Sequence, residues 1–137
     1  MKKIIGIVAM SLLAFTSCKQ DVKNTEAPAT VESKNEVAQV KTIALAQTGG
    51  EFVQKELTLD AGTYVFEIAN KDVDHEVGFV LAPKGKTDEA NHIKAAYVKS
   101  PVATGSSSLT NEVVLTKGEY VYFCPLNPTP QYSLVVK

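Results

Sequence analysis

Within the part of this chain that can fold, Cys124 is the only thiol. It closes an alternating run, Glu119-Tyr120-Val121-Tyr122-Phe123-Cys124, and opens a rigid segment, Pro125-Leu126-Asn127-Pro128-Thr129-Pro130. Thiolate together with imidazole suits both oxidation states of copper, and a weak axial donor tunes the pair. The imidazoles are His75, after the polar corner Lys71-Asp72-Val73-Asp74, and His92. Cys124 admits a plainer reading too, as a small buried apolar residue. His75 admits one as a corner residue capping backbone groups, and His92 one as a surface residue. No acid/base pair and no base beside a nucleophile is visible, so enzymatic chemistry is not expected.

Short strands must position these groups. Lys41 to Gln47 places large apolar side chains at every second residue, the pattern of a half-buried strand. Gly49-Gly50 breaks it, and a less regular run from Phe52 to Leu59 follows. Thr63 to Asn70 is rich in aromatic and β-branched residues and is the strongest strand signal. His75 to Leu81 is another, ended by Ala82-Pro83-Lys84-Gly85. Thr87 to Val98 is the one helix candidate: Thr87 can cap, Asp88 and Glu89 suit the positive end, and Ile93, Ala96 and Tyr97 share a face. Glu112 to Leu115 and Tyr120 to Cys124, joined by Thr116-Lys117-Gly118-Glu119, read as a hairpin. Gln131 to Val136 closes the domain. The whole reads as an all-β, two-sheet sandwich with one short helical insert. Tyr64, Phe66, Tyr120, Tyr122 and Phe123 are expected in the core and in cross-strand pairs rather than in a binding box.

The N-terminal residues carry a different message. Lys2-Lys3 followed by the apolar Ile4 to Phe15 has the layout of a secretory leader and is too short to span a bilayer. Leu12-Leu13-Ala14-Phe15-Thr16-Ser17-Cys18 resembles the bacterial lipoprotein box. The resemblance implies a signal peptide over 1–17 and a lipid on Cys18, which leaves Cys124 without a disulfide partner. Residues 18–40 then form the lipidated cysteine and a tether. The 22 residues from Lys19 to Val40 lack a sustained apolar period and would reach roughly 25 Å as a coil. Losing Lys2 and Lys3 leaves 12 lysines against 15 acids, a net charge of −3, with no arginine anywhere. That balance argues against a nucleic-acid surface. It suits a domain held at a membrane by lipid, in the bacterial cell envelope and facing the periplasm or the surface. Residues 41–137 are long enough for one domain with a single core.

Over roughly residues 41 to 137 the chain resembles the cupredoxin, or blue-copper, family. Phe66 to His75 looks like the family's strand, Asn-containing corner and first histidine ligand. Gly118 to Cys124 looks like its penultimate strand and cysteine ligand, and Tyr132 to Val136 like its return strand. The resemblance implies a Greek-key sandwich and copper held by His75 and Cys124. Gln131 would complete the set axially, or His92 or water would, for electron transfer to a redox partner in the envelope. It also places the backbone N–H of Glu76 on the cysteine sulfur. The ligand set departs from the family: the loop after Cys124 carries no histidine, and Met1 and Met10, the chain's two methionines, lie in the expected leader. Asn127 stands at one family spacing for the second histidine and Gln131 at another, and neither amide replaces an imidazole as an equatorial ligand. Two functions therefore stand side by side: a copper protein for electron transfer or copper handling, and a metal-free interaction or structural module of the envelope. The acidic corner Asp72-Asp74-Glu76 reads as a solvated turn or as an attraction for a cation or basic partner.

Overall fold

The computed structural model describes residues 39–137. The expected leader, Cys18 and almost all of the tether lie outside the described residues. The strands are β1 (Lys41–Thr48), β2 (Glu51–Phe52), β3 (Glu56–Leu59), β4 (Gly62–Asn70) and β5 (Val80–Pro83), then β6 (Ser107–Leu109), β7 (Val113–Leu115), β8 (Gly118–Phe123) and β9 (Tyr132–Val136). One sheet has the order β2-β1-β4-β6, with β7 also on β4; the other runs β3-β9-β8-β5. β1 lies parallel to β4 and β3 parallel to β9, and the remaining neighbours are antiparallel.

Each sheet turns one face inward. On β4, Tyr64, Phe66, Ile68 and Asn70 alternate into the interior, as the two-residue period of a pleated strand requires. Rings from both sheets meet there. Phe52 lies edge-on to Tyr122 at 5.2 Å between centroids, and Phe66 stacks at a tilt on Phe79, also at 5.2 Å. Tyr64, Phe66 and Tyr122 are buried as the alternation implies, whereas Tyr120 and Phe123 are half-buried. β6 and β7 share one edge of β4 with a break between them. Thr110 fills the break: its N–H donates to Phe66 O, and its Oγ1 accepts from Phe66 N.

Two sequence expectations give way. The helix over 87–98 is instead two 3-10 turns, Glu89–Asn91 and Lys94–Ala96. Between them Ile93 is extended, and its N–H donates to Leu81 O at 2.8 Å. A strand carbonyl has taken the amide that a helical ladder would need, and Asn91-His92-Ile93 has little intrinsic helicity with which to compete. The connection lies over the outer face of the second sheet. Val80, Ala82 and Val121 are buried there although they point away from the interlayer core, and His92 meets Phe123 edge-on at 5.9 Å.

The hairpin is also absent, because β7 pairs with β4 in one sheet and β8 with β5 and β9 in the other. The Thr116–Glu119 turn carries the chain between layers. Tyr120 Oη donates to Thr116 O, and at the β3–β4 crossing Tyr64 Oη donates to Asp60 O at 2.7 Å. Both corners read x-x-Gly-x-Tyr, with the glycine packed on the tyrosine ring. Such a tyrosine ties the incoming chain to the strand it starts.

The two corners differ in depth: Tyr64 is buried, and the Tyr120 bond is exposed. Tyr64→Phe is expected to lower stability by about 1–2 kcal/mol and Tyr120→Phe by less than about 0.5 kcal/mol. Urea midpoints at unchanged slope would measure both. Tyr122 carries a pH dependence. Burial, then Tyr132 and Glu56, push its phenol up to about 12. The neutral phenol is the form the fold favours, so this contribution is complete below pH 10 and is lost as pH rises from there through 12. Alkaline unfolding followed with absorbance near 295 nm should begin above pH 10, and Tyr122→Phe should flatten that limb.

Candidate metal centre

Cys124 follows β8 directly and points into the interlayer core, 2 % exposed. Its Sγ accepts two backbone N–H groups, from Gly78 at 3.2 Å and from Asn127 at 3.1 Å. Its own N–H donates to Thr129 Oγ1, which folds the following loop back over the strand end. Three prolines leave that loop few N–H groups, and one of these goes to the sulfur. The Gly78 contact moves the expected one along the chain by two residues. Val77 exchanges both backbone bonds with Val102, at 3.0 and 2.9 Å. That bridge brings Gly78, rather than Glu76, onto the sulfur. Gly78 packs beneath the loop, where an added Cβ would sit 3.7 Å from Leu126 Cδ1.

Asn70 shapes the corner that carries His75. Buried at the end of β4, its Nδ2 donates to His75 O and Val102 O while its Oδ1 accepts from Val73 N. The His75 imidazole stands outside, about half exposed. Nδ1 lies 2.8 Å from Asp74 Oδ1, and Nε2 lies 3.2 Å from Leu126 O. Each ring nitrogen thus faces an oxygen, one from the neighbouring carboxylate and one from the loop backbone.

The other candidates are dispersed. Gln131 is exposed at the foot of β9. His92 lies on the outer face of the second sheet, whereas Cys124 lies on the inner one. His92 Nε2 lies 3.0 Å from Thr87 O and Nδ1 lies 2.8 Å from Tyr97 Oη, so both ring nitrogens are engaged on that face. Asp72, Asp74 and Glu76 are all exposed. Among the described residues no group of three or more His, Cys, Asp or Glu is placed to hold a metal ion.

Two residues that carry this end of the molecule stand outside the expected donor set. Asn127 is 3 % exposed and Gln47 fully buried. Asn127 Nδ2 donates to Thr48 O at 2.9 Å and Gln47 Oε1 at 3.2 Å, and its Oδ1 accepts from Gly50 N at 2.9 Å. Gln47 Nε2 in turn donates to Gly78 O at 2.7 Å. Gly50 occupies φ +76°, a conformation glycine takes without strain, and this turns its N–H toward Asn127. A sequence signal for Gln47 existed: it falls on the inward side of β1, two residues after buried Leu45. A polar side chain on an inward position must find partners.

These residues do not fit a blue-copper ligand set. Among the described residues one thiol is present, His75 faces oxygens with both ring nitrogens, and the loop position three after the cysteine holds an amide bonded to Thr48, Gln47 and Gly50.

No family profile and no curated protein matches the sequence. Solved structures do match. Auracyanin A, a blue copper protein from Chloroflexus aurantiacus, aligns at a TM-score of 0.60 and 19 % identity, over 72 % of this chain and 100 % of that one. Auracyanin B gives 0.57 at 19 %, over 75 % of this chain and 92 % of that one. The auracyanin of Roseiflexus castenholzii gives 0.54 at 16 %, over 73 % and 98 %. With the two-sheet topology and its parallel β1–β4 and β3–β9 pairs, these likenesses show that the chain has the cupredoxin fold.

Proposed function

We propose that this protein is a metal-free cupredoxin-fold module of the bacterial envelope, tethered to a membrane through lipid on Cys18, that acts by binding another molecule rather than by carrying electrons. The observation that carries the reading is the state of Asn127. At one of the two loop spacings where the family resemblance would put a histidine, this side chain is buried and bonded to Thr48, Gly50 and Gln47. The end of the sandwich is closed by amides where a donor set would have to be open to a metal. His75, facing Asp74 and Leu126, supports the same reading.

A copper-binding reading keeps one observation on its side. Two N–H groups converge on Cys124 Sγ, and donors on a sulfur stabilise negative charge there, as a metal-bound thiolate needs. An optical titration with Cu(II), and with Cu(I) under reducing conditions, separates the two. The expected result is no intense visible thiolate-to-copper band and no copper kept through dialysis. A strong band at about one equivalent that vanishes in Cys124→Ser would overturn the proposal.

The amide closure has its own measurement. Asn127→Ala strands Gly50 N, Thr48 O and Gln47 Oε1, and should lower stability by about 2–3 kcal/mol. Cys124→Ala, which leaves a small void and two unpaired N–H groups, should cost about 1–2 kcal/mol. Denaturant unfolding of both variants would show whether the order holds. An Asn127→Ala chain as stable as the parent would remove the structural role assigned to this amide.

A further inference from the structure

A cleft of about 420 Å³ opens on the outer face of the second sheet, where the 84–106 connection leaves part of it uncovered. Gly78, Phe79 and Val80 line it, with Pro125 and Leu126 from the loop after Cys124. Tyr97 and Val98 contribute from the connection, together with Glu89 and His92. A volume of this size, mostly apolar with a few polar groups, is that of a small-molecule site.

The hydrogen-bond inventory of the lining is one-sided. His92 Nε2 is taken up by Thr87 O, His92 Nδ1 and the Tyr97 hydroxyl by each other, and the Gly78 N–H by Cys124 Sγ. Glu89 is the one formal charge in the lining, and it makes no salt bridge among the described residues. Its field reaches Tyr97, whose phenol is raised by burial first and by Glu89 second. Glu89 is thus the charged acceptor that the lining leaves without a counter-charge. A ligand must bring the donors and the positive charge.

We infer that this cleft binds a small amphiphilic cation, an aromatic or branched apolar body carrying one primary ammonium group, with the ammonium on Glu89 and the body against Val80, Val98 and Leu126. The inference is independent of the metal question, which the copper titration decides separately.

Calorimetric titration of the full chain with 2-phenylethylammonium, set against 2-phenylethanol and 3-phenylpropionate of similar shape, tests it. The ammonium should bind saturably at one equivalent and about fivefold more tightly than either analogue, the scale of a solvent-exposed ion pair. Raising the salt should shrink that preference. Glu89→Gln should abolish it while leaving the unfolding midpoint unchanged, because Glu89 is exposed. Equal binding of the alcohol and the ammonium, or a preference that survives Glu89→Gln, would overturn the assignment. So would absence of binding by all three, or concentration-dependent dimerisation that blocks the probe, which would make a second copy of the chain the occupant.

Discussion

A buried amide has to be bonded on every side, and at one end of this sandwich two of them hold four separate pieces of chain together. Gln47 and Asn127 join the end of β1, the glycine turn after it, the approach to β5 and the loop between β8 and β9. The cysteine sulfur belongs to the same arrangement, because the N–H groups it accepts come from the two segments those amides fix. Each bond contributes little net stability on its own, but removing one partner leaves the others desolvated and unpaired. The loop after Cys124 therefore has one conformation, and the cleft beside it has a fixed wall.

The sandwich beneath this end is held by a different force. Aromatic rings from both sheets interlock, some edge-on and some at a tilt, and the tyrosine corners fix where the chain passes between layers. Burial is non-directional and sets the thickness of the core; the corner bonds are directional and set the order in which strands are used. The resulting frame is the one a cupredoxin uses to hold copper, but a frame does not specify its site. Here the same strand ends and loop present amides, a thiol and an outward-facing histidine.

Much of the fold could be read along the chain. β4 was visible because Thr63 to Asn70 is rich in aromatic and β-branched residues, and Asn70 was marked as part of a corner. Two neighbouring features were not visible, for a shared reason. The 87–98 segment has the local pattern of a helix, yet Leu81 O claims the Ile93 amide. Val113 to Leu115 and Tyr120 to Cys124 have the local pattern of a hairpin, yet each pairs with strands distant in sequence. In both, a long-range hydrogen bond competes with a local one, and local periodicity carries no information about the distant partner.

The candidate site divides in the same way. Residue types alone determined what chemistry was available: one thiol and two imidazoles within residues 41–137, no methionine in the domain, and no histidine after Cys124. That inventory already spoke against a complete blue-copper set. Only the tertiary structure decided how the groups present are used. It turned His75 to two acceptors, put His92 on the opposite face of the sheet, and moved the sulfur's backbone donor from Glu76 to Gly78. It also drew in Gln47, 80 residues before Asn127 in the chain. Composition is a property of the sequence, but whether a lone pair is free for a metal depends on what lies within about 3 Å of it, and that is set when distant segments pack.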